Sequence, residues 1–201
     1  GVHIVQMLNI LEGFELQAMG HNSAAYLHHL TESMKLAYAD RSLYLGDPDF
    51  VAVPVAQLTD KAYAARQRQL IDSTRATPSV DIAPGRLLDS ESTETTHYSV
   101  ADRFGNVVSN TYTLNFSFGS NIVVPGTGML LNNEMADFAT SPGSANAFGL
   151  VQGEANAIAP GKRMLSSMTP TIVLDADRHP LLVTGASGGI GGATVRQLVA
   201  A

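Results

Sequence analysis

The sequence has 201 residues, of which 45% are hydrophobic and 15% are charged, and its formal net charge is −6. This length is enough for one globular domain with a core, and no apolar run reaches the roughly 20 residues needed to span a bilayer. The 12 basic residues are scattered along the chain. Nucleic acid is therefore not an expected partner, because its phosphates require a clustered cationic surface. The lack of cysteine excludes disulfides, thiol nucleophiles and cysteine-based zinc sites.

The chain opens in a helical pattern. Ile4, Leu8 and Leu11 are spaced as on one face of a helix, and Gly13 is expected to end it. No initiator methionine precedes this run, and the chain stops within another helix-like run at residues 195–201. Both ends therefore look cut, which predicts a fragment or a processed piece.

Two further helices are predicted in the first half, over about residues 23–40 and 60–71. Asn22 or Ser23 is expected to cap the first of them. Its apolar stripe is expected to comprise Leu27, Leu30, Met34 and Ala37. Residues 44–50 between the two helices have the composition of a turn.

The character of the sequence changes after residue 71. Residues 72–94 are rich in proline, serine and threonine and show little periodicity, which predicts a long loop. Two β-hairpins are predicted beyond it, with strands at residues 95–101 and 107–115 and at residues 171–174 and 181–183. Helices before the loop and hairpins after it indicate an α+β chain.

The glycine-rich run at residues 183–191 resembles the TGxxxGxG cofactor loop of short-chain dehydrogenases. Three facts oppose this interpretation. The chain ends too soon after Gly191 to complete a βαβ unit, those dehydrogenases carry the loop near their N-terminus, and none of the six tyrosines has a lysine four positions on. An NAD(P)-binding oxidoreductase fragment stays a remote alternative, and the glycines are expected to bring backbone N–H groups close to a ligand.

Several segments together carry a more specific resemblance. They are residues 38–42 (YADRS), 44–48 (YLGDP), 95–100 (TTHYSV), 111–115 (TYTLN), 130–138 (LLNNEMADF) and 161–170 (GKRMLSSMTP). In order and spacing they resemble γ-glutamyltranspeptidases along essentially the whole chain. The resemblance implies an N-terminal-nucleophile hydrolase fold, an αββα sandwich of which this chain would be a part.

The resemblance also implies a precursor that cuts itself before a threonine, here between Glu94 and Thr95. Residues 1–94 would be the C-terminal part of the large subunit, with a processing loop at about 72–94. Residues 95–201 would begin the small, catalytic subunit, and both pieces would stay together as a heterodimer. The cut would expose a threonine α-amine, whose ordinary pKa of about 7.7–8.0 suits a base for its own hydroxyl. Without the resemblance, Thr95 reads as an ordinary strand threonine beside a loop.

By the same resemblance, Thr113 would hydrogen-bond the Thr95 hydroxyl and orient it. Asn115, Glu134 and Asp137 would bind the α-ammonium of a γ-glutamyl substrate, because charge-assisted hydrogen bonds to carboxylates are strong. The alternative interpretation makes Thr113 an inward strand residue and the acidic cluster a solvated turn.

The remaining implied roles concern the carboxylate, the oxyanion and a lid. Ser166 and Ser167 would bind the substrate α-carboxylate. Gly188 and Gly189 would supply the oxyanion-hole N–H groups. Phe148 would belong to a lid over the site, at a position where several bacterial relatives carry tyrosine.

The implied activity is transfer or hydrolysis of glutathione-like γ-glutamyl amides, with water, an amino acid or a peptide as acceptor. No cofactor is implied, and the histidines lack the spacing of metal ligands. His97 lies two residues from Thr95 on the same strand face and could be a structural histidine or a base. The rival within the fold is a cephalosporin or glutaryl acylase. The family suggests a periplasmic or extracellular location.

Overall fold

The structure is a computed structural model, and it describes residues 1–82, 95–146 and 151–184. The chain divides into two compact units. The first comprises residues 1–91 and 135–165, and the second comprises residues 92–134 and 166–201. Within the described residues, no helix is both long and apolar enough to cross a membrane.

The first unit is mainly helical. Its α-helices are α1 (Val2–Leu11), α2 (Leu16–Met19), α3 (Ala24–Tyr44), α4 (Val55–Leu58) and α5 (Lys61–Arg68). The three longer helices confirm the predictions from apolar periodicity. The two four-residue helices were not predicted, because one turn is too short to show a period.

Side-chain caps define where α3 and α5 begin. The Ser23 hydroxyl accepts a hydrogen bond from the Tyr26 N–H at 3.1 Å, which confirms Ser23 as the cap of α3. Asp60 accepts from the Tyr63 N–H at 2.9 Å and caps α5 in the same way. Each cap satisfies a backbone donor that the first helical turn cannot pair.

The stripe predicted for α3 is wrong in part. Ala37 is fully buried, but Leu27 is 46% exposed, and Leu30 and Met34 are only half-buried. The helix packs against α1 through a face that carries Leu36, so the stripe is rotated. The hydrophobic cluster of this unit contains Ile10, Leu36, Ala64 and Ile71.

The second unit contains both hairpins, and the structure confirms their prediction. Strand β1 (Thr95–Ala101) pairs antiparallel with β2 (Val107–Thr113), and β3 (Ile172–Leu174) pairs with β4 (Pro180–Val183). In the first hairpin Thr95 lies opposite Thr113. The strand predicted to run to Asn115 ends two residues earlier, because Asn115 has a φ of 76° and leaves the extended conformation.

The β1–β2 turn is set by one side chain. Asp102 Oδ1 accepts from the N–H groups of Phe104 and Asn106, at 2.8 and 3.0 Å. Gly105 supplies the left-handed conformation of the turn with a φ of 85°. This turn fixes the register that brings the two strand ends, Thr95 and Thr113, side by side.

The loop predicted at residues 72–94 lies partly outside the described residues, which end at residue 82 and resume at 95. Residues 72–82 contain a single 3-10 turn, Ser79–Asp81. The described residues therefore form an α+β arrangement, as predicted.

Candidate active site

Thr95 and Thr113 face each other across the end of the first hairpin. The Thr95 hydroxyl donates to Thr113 Oγ1 at 3.4 Å, longer than the roughly 2.7–2.8 Å typical of hydroxyl pairs. Thr95 is exposed and is the first residue of β1. A hydroxyl at this place can attack the carbonyl of the preceding residue, and its neighbour can orient it.

Asn115 holds Thr113 from the other side. Its backbone N–H donates to Thr113 Oγ1 at 2.9 Å, so this oxygen accepts both the Thr95 hydroxyl and a fixed amide. Asn115 is 6% exposed and adopts a left-handed φ of 76°, a conformation that asparagine tolerates better than most residues. Buried, left-handed residues of this kind cluster at functional sites.

Asn133 connects the Asn115 turn to Glu134. The Asn133 carbonyl accepts from Asn115 Nδ2 at 3.3 Å, and its side-chain oxygen accepts from the Phe116 N–H at 3.1 Å. Its own N–H donates to the Leu114 carbonyl at 3.2 Å. Within the second unit the structure thus links Thr95, Thr113, Asn115 and Asn133, the residue before Glu134. A role for Asn133 was not predicted from the sequence, although its place beside Glu134 was a signal.

Asp137 ends the 3-10 helix Glu134–Asp137 and belongs to the first unit. Its carbonyl accepts from Asn156 Nδ2 at 2.7 Å and from Gln152 Nε2 at 3.3 Å. Arg41, which is 3% exposed, interacts electrostatically with Asp137. Burial lowers the pKa of the Arg41 guanidinium, and the nearby Tyr38 and Asp137 oppose that shift. Neither Arg41 nor Asn156 was predicted from the sequence to have a role.

The two predicted carboxylate-binding serines are both exposed and lie just before β3. Ser166 Oγ accepts from the Met168 N–H at 3.0 Å. Phe148, Gly188, Gly189 and Glu94 lie outside the described residues. The assigned roles of all these residues stay predictions.

His97 is enclosed by hydroxyl groups. Its Nδ1 lies 2.5 Å from Thr111 Oγ1, and its Nε2 lies 3.2 Å from both Ser109 Oγ and Thr184 Oγ1. Ser109 and Thr184 are also bonded to each other at 2.9 Å. Both ring nitrogens are therefore engaged between the two hairpins of the second unit, which favours the structural interpretation of His97.

An ion pair between the buried Asp47 and the largely exposed Arg163 joins the two sides of the predicted cut within the first unit. The Asp47 side chain is 1% exposed and accepts from the Arg163 backbone N–H at 2.8 Å, from Nε at 3.0 Å and from Nη2 at 2.5 Å. These hydrogen bonds hold the pKa of the Asp47 carboxyl well below its usual range. Arg163 Nη2 also contacts Asp49, whose side chain is 73% exposed. Such a bidentate pair is specific in geometry as well as charge.

The sequence is similar to those of known proteins. A family model described as gamma-glutamyltranspeptidase matches residues 1–200. Over 189 residues the chain is 55% identical to a glutathione hydrolase proenzyme of Escherichia coli strain K12, covering 94% of this chain and 32% of that protein. A glutathione hydrolase proenzyme of Pseudomonas aeruginosa is 50% identical over 191 residues, covering 94% and 33%.

Acylases are also related. An acylase ACY 1 proenzyme of Pseudomonas sp. strain SE83 is 46% identical over 178 residues, covering 89% of this chain and 29% of that protein. Among solved structures, a cephalosporin acylase from Bacillus halodurans matches with a TM-score of 0.67 at 27% identity, covering 89% of this chain and 30% of that one. The chain thus spans about a third of the length of the curated relatives it matches.

Proposed function

This chain belongs to the γ-glutamyltranspeptidase family, and on that premise we propose that its parent protein hydrolyses or transfers the γ-glutamyl group of glutathione-like amides. The observation that carries the proposal is the contact of the Thr95 hydroxyl with Thr113 Oγ1, at the first residue of β1. The relatives named glutathione hydrolase support the substrate class.

The first proposed step is cleavage of the chain before Thr95. The Thr95 hydroxyl attacks the Glu94 carbonyl, and the C–N bond of the peptide breaks. The departing nitrogen takes up the proton that the hydroxyl loses, and the acyl group moves to the threonine oxygen as an ester. Water then hydrolyses this ester, which leaves a carboxylate on Glu94 and an α-amine on Thr95. Thr113, held by the Asn115 amide, orients the attacking hydroxyl.

The same hydroxyl then serves as the enzyme's nucleophile. The Thr95 α-amine takes the hydroxyl proton as the oxygen attacks the γ-carbonyl of the substrate. The amine of the substrate leaves with a proton, and a γ-glutamyl ester stays on Thr95. Water or an amino acid opens this ester, which gives hydrolysis or transfer. Gly188 and Gly189 are proposed as oxyanion donors, a role whose loss typically costs on the order of 10²–10³ in rate.

Recognition of the glutamyl group is proposed to use the opposite charges of the ammonium and the carboxylate on its α-carbon. Asn115, Glu134 and Asp137 bind the α-ammonium, supported by the bonds that tie Asn115 to the residue before Glu134. The α-carboxylate is proposed to bind Ser166 and Ser167. A lid including Phe148 completes the proposed site.

The alternative function is a cephalosporin or glutaryl acylase. The acylase relative at 46% identity and the cephalosporin acylase structure favour it. A glutaryl group has no α-ammonium, however, so the carboxylates of Glu134 and Asp137 would have no cationic partner in that substrate. This difference in charge favours the γ-glutamyl substrate.

The test compares two substrates on the purified full-length parent, γ-glutamyl-p-nitroanilide and a glutaryl cephalosporin. We expect a clear preference for the first, and we expect Asp137→Asn to lower only the rate with the γ-glutamyl substrate. A preference for the glutaryl substrate would establish the acylase function instead. Micromolar binding of NAD or NADP would support the oxidoreductase alternative for the run at residues 184–191.

The parent is also proposed to be an αββα sandwich built from two pieces that stay associated, divided at residues 94 and 95. The exposed apolar side chains of the first hairpin, among them Tyr98, Val100 and Tyr112, support a further layer over this sheet. We propose a periplasmic or extracellular location, which cell fractionation of the producing organism tests. A purely cytoplasmic mature enzyme would contradict it.

A further inference from the structure

Asn156 is the most connected buried amide of the first unit. It is 1% exposed, and each polar atom of its side chain is bonded. Nδ2 donates to the Asp137 carbonyl at 2.7 Å and also to the Gln152 side-chain oxygen. Oδ1 accepts from the Leu165 N–H at 3.0 Å. One side chain therefore fixes the backbone of two segments, at residues 137 and 165.

The backbone around Asn156 is itself anchored. Asn156 ends the 3-10 helix Glu154–Asn156, and its carbonyl accepts from the Ala139 N–H at 2.9 Å. The Gly153 N–H donates to the Ser42 carbonyl at 2.8 Å. A Cβ on Gly46 would lie 2.1 Å from the Ala155 carbonyl oxygen, so the two backbones are in close contact. The backbone that carries the Asn156 side chain is thus anchored by contacts with α3 and with the residues that follow α3.

Each of the two residues that Asn156 holds either is proposed to bind the substrate or directly precedes residues proposed to bind it. Asp137 is a proposed ligand of the α-ammonium, and Leu165 directly precedes the serines proposed for the α-carboxylate. We infer that Asn156 is a positioning residue that sets the spacing between the Asp137 and Leu165 backbones, and through it the recognition of a substrate that carries both an ammonium and a carboxylate. The inference rests on the proposed γ-glutamyl function. It adds a determinant of specificity that itself contacts no substrate.

Two measurements distinguish a role of Asn156 in spacing from a general role in folding. The self-cleavage of the chain uses its own peptide bond and needs no bound glutamyl group, so it reports folding of the hairpin end. Recognition of a substrate with both an ammonium and a carboxylate depends on the spacing. A substrate with only one of these groups is insensitive to it.

The experiment uses the full-length parent with Asn156→Asp, which keeps the acceptor for Leu165 but removes the Nδ2 donor to the Asp137 carbonyl and to Gln152. The longer bond from Gln152 Nε2 to the Asp137 carbonyl is kept. Asn156→Gln keeps both functions on a longer side chain, and Asn121→Asp, at an exposed asparagine, is the matched control. Each is assayed for self-cleavage and with three p-nitroanilides: γ-glutamyl, glutaryl, which lacks the ammonium, and 4-aminobutyryl, which lacks the carboxylate.

We expect Asn156→Asp to cleave itself as the wild type does and to raise KM for the γ-glutamyl substrate by about tenfold, with kcat changed little. Its KM for glutaryl-p-nitroanilide and for 4-aminobutyryl-p-nitroanilide, which each carry only one of the two charged groups, should stay near the wild-type value. The KM of Asn156→Gln for the γ-glutamyl substrate should lie between the values of the wild type and Asn156→Asp. The control, Asn121→Asp, should have the wild-type KM. Equal changes for all three substrates, no change at all, or failure of both Asn156 variants to cleave would overturn the inference. An uncleaved wild-type parent would instead count against the proposed function.

Discussion

The two units differ in how their polar side chains are used. In the first, buried polar and charged groups join segments far apart in sequence, as Asp47 does with Arg163 and Gln6 does with Asp40, at 2.5 Å from Nε2 to Oδ2. In the second, β1 is almost wholly exposed, and its side-chain hydrogen bonds are mostly with hydroxyl groups, as Thr95 makes with Thr113 and His97 with Thr111. Loss of a buried partner is costly, whereas an exposed hydroxyl contributes little to stability. Changes in the first unit should therefore alter stability, and changes at the end of the first hairpin should alter chemistry.

We expect Thr113→Val to have the largest effect on chemistry with the smallest effect on stability. This change removes the oxygen that accepts from both Thr95 and Asn115 while keeping the side-chain shape. We expect the γ-glutamyl transfer rate to fall by about 10–100-fold, as for loss of one or two hydrogen bonds in the transition state. Thr96→Val, at the exposed neighbour of Thr95, is the control. A wild-type rate in Thr113→Val would remove Thr113 from the mechanism.

In the first unit, Asp47→Asn is expected to cause the largest loss of stability, because it weakens the hydrogen bonds that the buried Asp47 carboxylate accepts from Arg163. The folded-state pKa of Asp47 is depressed, so the stabilisation is complete above the ordinary pKa of about 3.9 and is lost as the pH falls through the folded value. Urea unfolding from pH 7 to 3 should show the gap between wild type and Asp47→Asn narrow below about pH 4.

Asp49→Asn is the matched control for that experiment, since Asp49 contacts the same guanidinium from an exposed position. Exposed ion pairs contribute little, so this variant should unfold nearly as the wild type does. A gap between wild type and Asp47→Asn that does not change with pH would contradict the assignment of the stabilisation to the Asp47 charge.

His97→Gln tests whether the ring in the second unit is structural. It disturbs the contacts with Thr111, Ser109 and Thr184, and we expect a loss of about 1–2 kcal/mol in the free energy of unfolding. The pH dependence of the transfer rate should stay the same, because the proposed base is the Thr95 α-amine. His179→Gln, at an exposed histidine, is the control. A pH–rate profile that loses one limb in His97→Gln would make His97 a base.

The smallest effect is expected from Ser23→Ala at the start of α3. Loss of the cap to the Tyr26 N–H should cost about 1 kcal/mol of unfolding free energy, and Ser23→Gly only a few tenths. Neither should alter the transfer rate. A change in the transfer rate with unchanged stability would contradict the conclusion that changes in the first unit act on stability and not on chemistry.

The sequence predicted the elements whose signals are local. The Ser23 cap and the Asp102 turn lie within the segments they define, so α3 and the first hairpin could be read from the chain. The exposure of Leu27 could not be predicted from the sequence, because the buried face of α3 depends on the helix that packs against it. Asn115 looked like the end of a strand, but its left-handed φ is decided by contacts with Asn133.

The candidate site was predictable only through resemblance. Neither periodicity nor composition distinguishes Thr95 from other strand threonines. Asn156 escaped prediction because its partners Leu165 and Asp137 are 9 and 19 residues away, and no spacing rule connects them. Asp47 and Arg163 were visible as motif residues, but their pairing across 116 residues was not.

Intact mass and N-terminal sequencing of the full-length parent test whether Thr95 becomes an N-terminal nucleophile. We predict two fragments, the second beginning at Thr95, and a single uncut chain for Thr95→Ala, while Thr96→Ala is cut as the wild type is. A wild-type parent that stays whole, or that is cut at another bond, would contradict the account.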